Sequence, residues 1–492
     1  MSVKTNFKYW VFTFLLVLNA SANLTVAQSR NSADSLASIF SMKDMQEIVL
    51  RNHPIVKQAA LLSLEAKAKV MTALGNFDPS INASFSRKNF GGTEYYNHWD
   101  SKLKVPLWVA GADLNIGYDR NVGVYNNPET QTSRAGLTGL GLSIPLGQGF
   151  FIDARRSTLR QSKIMVDYAE AEKIKQINNV WYNAGKDYWN WYYAYQQYVH
   201  INNGVNLAYT RFLALRQQVL LGDKPPIDSV EAAITVQDRR VQLQSSTIEL
   251  QNTRLLLSNN LWDKDGKPQE LPENAVPEND SIPPNILSSL KLDSLVSAAD
   301  DRHPDLLKLR RQGEQLNVER RYRQEMLKPK LNVTGSFLSS RRDFWSYVPD
   351  SYDFRIPNYK VGIDLSFPFF LRAERGKLRE IKIQQSELEY NLEQTGREIS
   401  TNIFTSFNEL KGYQSQLSLQ TQNVTNQKIL VSGELQKFAF GESTLFLINS
   451  RESKLIDMQI KRAEIISSFQ KSLATFYYNA GTRQIFSGTS FR

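Results

Sequence analysis

Two carboxylates, Asp228 and Glu231, are the residues of this chain whose spacing most directly suggests chemistry. They lie three apart at the opening of a helical stretch, so their side chains share one face. Such a pair can simply offset the helix dipole, because negative charge near a helix N-terminus is favoured by a few tenths to ~1 kcal/mol. Several copies gathered around an axis would instead form a ring of carboxylates whose close approach raises some pKa values and binds cations. The residues alone do not choose between these readings.

No catalytic constellation accompanies them. The chain has no cysteine, which removes thiol nucleophiles, disulfides, thiolate metal sites and a cysteine-linked lipid anchor. No glycine-rich phosphate loop opens a helix, and no histidine has a plausible carboxylate and serine partner set. His53 and His303 are each followed by proline near a helix start, which suits a shared structural device better than metal ligation. The aromatic run Trp181, Tyr182, Tyr188, Trp189, Trp191, Tyr192, Tyr193, Tyr195 and Tyr198 has the helical spacing of interhelix packing. Arg155, Arg156, Arg372 and Arg375 follow strand ends in both halves, where they suit lipid headgroups or a solvated face. No enzyme activity, cofactor or metal is expected.

The elements that must position these residues occur twice. Residues 302–337 repeat 52–85, with His53-Pro54 and His303-Pro304 at an offset of 250. Leu142-Ser143-Ile144-Pro145 recurs as Leu365-Ser366-Phe367-Pro368, and Leu221-Gly222-Asp223 as Phe440-Gly441-Glu442. One unit of roughly 200 residues is therefore used twice. The expected division is a signal peptide at 1–27, a first repeat at 28–262, a proline-rich linker at 263–290 and a second repeat at 291–492. In the leader, Lys4 and Lys8 precede an apolar stretch and the small residues Thr25-Val26-Ala27, which reads as an export signal. The net charge of +10 is spread along the chain without a basic tract, so nucleic acid is not an expected partner.

Helical periodicity covers 33–76, 151–220, 223–262, 291–327, 371–440 and 442–481. A 70-residue helix spans roughly 105 Å at ~1.5 Å per residue, too long for a compact core, so these helices must pack along one another. Between them the period switches to two, in strand regions 79–148 and 329–370. Ile81, Ala83 and Phe85 alternate with Asn82 and Ser84, and Val361, Ile363 and Leu365 with Gly362 and Asp364. A half-buried soluble sheet shows the same alternation; spans near ten residues, aromatics and the export signal favour a membrane barrel. With at least one pair of strands per repeat, one chain supplies about four. The smallest membrane barrels need ~8, so copies must share one barrel.

The chain resembles the TolC-like outer-membrane efflux proteins. The matching residues are Asn52-His53-Pro54 and Arg302-His303-Pro304, Asp78-Pro79-Ser80-Ile81 and Lys328-Pro329-Lys330-Leu331, the Leu-Ser-x-Pro strand ends and the glycine turns. The resemblance implies an α+β membrane protein: long coiled-coil helices forming a periplasmic α-barrel, and strands contributing to one trimeric twelve-stranded outer-membrane β-barrel. It implies a passive channel-tunnel of a tripartite efflux or type I secretion system, a homotrimer embedded in outer-membrane lipid and served by a periplasmic adaptor (membrane fusion) protein and an inner-membrane transporter. Leu221, Gly222, Asp223 and Lys224, with Phe440, Gly441, Glu442 and Ser443, would be the adaptor-contacting hairpin tips. Asp228 and Glu231 would be the periplasmic constriction.

Three departures stand out. The first strand region is longer than its repeat-mate and includes a hairpin-like stretch from Leu103 to Tyr118, either an extra hairpin or an extracellular excursion. The acidic constriction positions of the second repeat are Leu447 and Ser450, and a tyrosine–arginine tip latch maps to Phe438 and Ser443, so no such latch is expected. The other expectation, from a different class, is a periplasmic coiled-coil scaffold or adhesin with a soluble sheet.

Overall fold

Prolines and glycines decide where helix gives way to strand and where the chain reverses. A computed structural model describes residues 38–278, 287, 291–340 and 358–482; the expected leader and part of the linker lie outside them. The order begins β1 (Ser38–Phe40), α1 (Met42–Asn52) and α2 (Pro54–Leu74). Strands β2 (Ser80–Phe90), β3 (Thr93–Pro106), β4 (Asp113–Val122) and β5 (Leu137–Pro145) follow, then α3 (Ala154–Leu220) and α4 (Pro226–Ser258). After β6 (Ala275–Pro277), the second half runs α5 (Leu292–Arg302), α6 (Pro304–Glu325), β7 (Lys330–Ser339), β8 (Tyr359–Ser366), α7 (Arg372–Ala439) and α8 (Leu445–Asn479). Among the described residues no helix is long and apolar enough to cross a membrane.

The stretch expected as one helix over 33–76 is divided at His53, whose ψ of 130° is extended, as the following proline requires. The imidazole repairs the break. His53 Nδ1 accepts from the Ile55 amide at 3.2 Å, and His303 Nδ1 from the Asp305 amide at 3.2 Å. The histidine-proline pair is thus the N-terminal cap of α2 and α6 alike. Burial holds both imidazoles below the ordinary histidine value of 6.5. A protonated ring has no acceptor at Nδ1, so the cap needs the neutral form. Because the folded pKa is the lower one, this stabilisation is present above about 6.5 and is lost as pH falls towards the folded value. The thermal unfolding midpoint is expected to drop between about pH 7.5 and 5.5, and less so in a His53→Asn/His303→Asn variant, since asparagine caps without titrating. An equal drop in both proteins removes the histidines as its cause.

The two long helices carry the architecture. α3 is flanked by α2 and α4 on one side and by α6 and α8 on the other, while α7 packs on α6 and α8. Four helices therefore lie abreast at each level. The half-length helices meet near mid-height: Asn52 donates to the Trp262 carbonyl at 2.9 Å, and His303 lies against Gly481. Here the aromatic run packs between helices. Tyr188, Trp189, Trp191 and Tyr192 are buried with Met45, Val49, Leu257 and Ile466, each large apolar side chain contributing about 1.5–3 kcal/mol. The Tyr188 hydroxyl donates to the Phe40 carbonyl at 3.0 Å.

The expected four strands are six. One antiparallel sheet runs β2-β3-β4-β5-β7-β8, and the difference is the β3–β4 hairpin. Its turn places Ala110 and Gly111 at positive φ, with the Leu107 amide donating to the Ala112 carbonyl at 2.8 Å. The register sorts the sheet into two faces. Ile81, Leu103, Ile116, Leu140, Phe337 and Tyr359 lie on one; Asn82, Lys102, Gly117 and Gly139 lie on the other, with Ser336, Lys360 and the apolar exception Leu338.

Arg155 and Arg156, expected at headgroups or in solvent, are bound by protein instead. Arg155 pairs with Asp113 at 2.7 Å and donates to the Gly111 carbonyl at 3.0 Å; Arg156 donates to Asp153 and to the Gly149 carbonyl. The β3–β4 hairpin supplies the acceptors of Arg155, and the segment entering α3 supplies those of Arg156, so both guanidiniums turn inward. Arg372 lies over the Phe370 ring at 5.0 Å.

Candidate functional site

Each long helix ends in the same turn. Gly222 and Gly441 take φ of +82° and +78°, a conformation glycine adopts without a Cβ penalty. The Asp223 amide reaches back to the Gln218 carbonyl at 2.9 Å, and Gly222 to Val219 at 3.1 Å. Glu442 and Gly441 repeat this on Lys437 and Phe438 at 2.9 and 3.0 Å. These double bonds satisfy the last carbonyls of the helix and reverse the chain. Pro225 and Pro226 then open α4 without a side-chain cap, whereas Thr444 caps α8 through Leu447.

The turns leave Leu221, Gly222, Asp223, Phe440, Gly441 and Glu442 exposed. Phe440 is 82% exposed, and Leu220, Ile227 and Phe446, within a few residues of the two turns, are exposed as well. Lys224 folds over the Phe438 ring at 5.5 Å. Phe438 also packs beside the small apolar cluster of Leu215, Ala232 and Leu445, so it bridges the hairpins through apolar contact. Ser443 stays within its own hairpin, donating to Glu434 Oε1 at 2.5 Å, and Arg451 approaches the other oxygen at 2.6 Å. Those two donors hold the Glu434 carboxyl below the usual carboxylate range. Asp228 and Glu231 sit half-buried on the opening turns of α4.

One cluster had not been singled out from the sequence. Glu452 on α8 is 4% exposed and lies between Arg211 of α3 and Arg239 of α4. Arg211 Nη1 donates to Glu452 Oε2 at 3.0 Å, with a second contact from Nη2; Arg239 Nη2 reaches the same oxygen at 3.3 Å. Asn449 extends the network, accepting from Arg211 at 3.2 Å and donating to Thr235 at 3.2 Å. Burial lowers the Arg239 guanidinium from its ordinary value, and Glu452 opposes that shift. Its Nη1 also donates to the Gly204 carbonyl at 2.7 Å. A Cβ on Gly204 would stand 2.6 Å from Ile456 Cδ1, so glycine permits this close helix approach. A signal was present: Glu452 follows Leu445 and Ile448, and Arg239 follows Ala232 and Val236, at the spacing of an apolar stripe. A charge in such a stripe needs a buried partner.

Paired helical hairpins hung from a sheet with one apolar face define an outer-membrane channel protein of the TolC-like class. A family model for the outer membrane efflux proteins matches residues 295–447. No curated protein matches the sequence significantly. Among solved structures, the chain is similar to the CmeC outer membrane channel of Campylobacter jejuni at 15% identity and TM-score 0.62, over 89% of this chain and 85% of that one. The open-state MtrE channel of Neisseria gonorrhoeae aligns at 14% identity and TM-score 0.63, over 90% and 89%. The outer membrane protein VceC of Vibrio cholerae aligns at 12% and 0.62, over 90% and 96%. The protein is an outer-membrane efflux channel reaching into the periplasm, and the scaffold expectation is not favoured.

Proposed function

We propose that three copies of this chain form a passive tunnel that conducts substrate from an inner-membrane pump, through a periplasmic adaptor, to the exterior. The observation that carries this reading is the sheet register: across all six strands one face is predominantly apolar and the other predominantly polar. A lipid-facing wall around water has this pattern. Energy comes from the pump, and the exposed apolar tips around Leu221 and Phe440 are the adaptor contact. Single-channel recording of the purified protein, with its oligomer mass, tests the proposal. Discrete conductance from a trimer supports it; a non-conducting soluble species overturns it.

Asp228 and Glu231 are proposed to line the constriction, six carboxylates in a trimer. Replacing both by their amides, Asp228→Asn with Glu231→Gln, should weaken block by divalent cations and reduce cation selectivity in the same bilayers. Unchanged block and selectivity would assign the pair to helix-dipole compensation.

A further inference from the structure

We infer that the β3–β4 hairpin is part of the membrane wall, so that the trimer closes as an eighteen-stranded barrel, with β2 of each chain joined to β8 of the next. The inference rests on the proposed trimeric outer-membrane channel and concerns its width.

The hairpin spans the full height of the sheet. It leaves β2 at the Gly91-Gly92 turn, at the end of the sheet far from the helices, and descends through β3 to the helix-bearing end. There its turn is anchored. Trp108 stacks on Phe77, just beyond α2, with ring centroids 4.1 Å apart and 5° between planes. Arg155 at the start of α3 holds both Asp113 and the Gly111 carbonyl. A Cβ on Gly111 would stand 2.7 Å from the Gly149 carbonyl oxygen, so the turn is fitted against the chain entering α3. An extracellular excursion would have no reason to end in this seat.

The hairpin also obeys the rule of the wall. Leu103 and Val105 on β3, and Leu114 and Ile116 on β4, continue the apolar face of β2 and β5; Lys102, Lys104, Asn115 and Gly117 continue the polar one. An aqueous excursion needs no such register.

The edges then fit a second copy. Among the described residues β2 and β8 are unpaired along their outer sides, and an open edge is not tolerated in a bilayer. Six alternating antiparallel strands leave β2 and β8 running in opposite directions, so a neighbour's β2 continues the antiparallel ladder against β8. Both edges expose apolar residues on the same face, Ile81 and Phe85 on β2, Val361 and Ile363 on β8.

Circumference supports the count. Four helices abreast in each of three chains give twelve, which at about 9–10 Å spacing close a ring of radius roughly 17–19 Å. Eighteen strands about 4.8 Å apart, tilted about 40°, close one of roughly 18 Å, whereas twelve reach only roughly 12 Å. The wider barrel continues the helical tunnel without a step. Its bore is about 1.5-fold that of twelve strands, which leaves size selection to the hairpin tips.

Electron microscopy of the trimer in lipid nanodiscs counts the strands directly. Eighteen is the expected result; a closed wall of twelve with 93–122 outside it overturns the inference and leaves the channel reading intact. A chain that neither trimerises nor enters a membrane fails the channel reading itself. Because the protein has no cysteine, labelling gives an independent answer in liposomes. Lys102→Cys and Asn115→Cys should react with a water-soluble maleimide, while Leu103→Cys and Ile116→Cys lose that reactivity and are quenched by a lipid-borne probe. Equal aqueous reactivity on both faces places the hairpin in water and overturns the proposal.

Discussion

Glu452→Gln is expected to open the tunnel. The substitution keeps the shape of the side chain and removes the one carboxylate shared by Arg211 and Arg239. Leaving a buried charge without its counter-charge costs on the order of 3–5 kcal/mol, and Arg239 is only 4% exposed. The network joins α3, α4 and α8, from both repeats, on the tip side of the molecule. The cost therefore falls on the packing of one hairpin against the other, while the sheet and the mid-height aromatic core are untouched. The expected readout is larger, longer-lived single-channel openings from a trimer of normal mass. Adding Arg239→Met should return the recordings towards the parent, because the Arg211 side chain is more exposed than that of Arg239 and an unbranched apolar side chain suits the stripe of Ala232 and Val236. Parent-like conductance in an intact Glu452→Gln trimer would show that the cluster does not hold the tips.

The contrast with Asp228 and Glu231 shows what the sequence could and could not disclose. Those two stood out because they share a face at a helix start, a local property. Glu452 and its two arginines come from three helices far apart in the chain, and only packing brings them together. Their trace, charges in apolar stripes, becomes legible once the stripe is counted along α4 and α8. The glycine turns were readable for a similar reason: Gly222 and Gly441 follow long proline-free runs, and positive φ at a helix end is a local demand. The capping role of His53 and His303 was half visible, since the following proline predicts the break but not the Nδ1 acceptor that repairs it. Strand number was the weakest reading. Alternation identified Leu103 to Tyr118 as hairpin-like, but its place in the wall depends on Asp113 meeting Arg155 and Trp108 meeting Phe77, contacts no local pattern contains.

Gly147→Ala is expected to prevent assembly, through a contact equally invisible in the sequence. The two repeats join where β5 pairs with β7, and the ladder continues past the strand ends. The Leu146 amide donates to the Leu331 carbonyl at 2.7 Å and Gln148 to Pro329 at 2.8 Å. Gln148 also donates through its side chain to the Met326 carbonyl at 3.0 Å. Between those bonds a Cβ on Gly147 would lie 2.0 Å from the Pro329 carbonyl oxygen. That neighbour is backbone, so no rotamer relieves the overlap and the strands must part. Overpacking costs about 1–3 kcal/mol, and each lost backbone bond adds about 0.5–1.5 kcal/mol, all at the one seam joining the halves of the sheet. Gly335→Ala is the matched control: it lies on β7 of the same sheet, and its Cβ would meet nothing within 4 Å. Heat-modifiable trimers in the outer-membrane fraction should disappear with Gly147→Ala and persist with Gly335→Ala. Survival of both would mean that the seam yields by more than an ångström without loss of assembly, and that the repeats are held together chiefly by their helices.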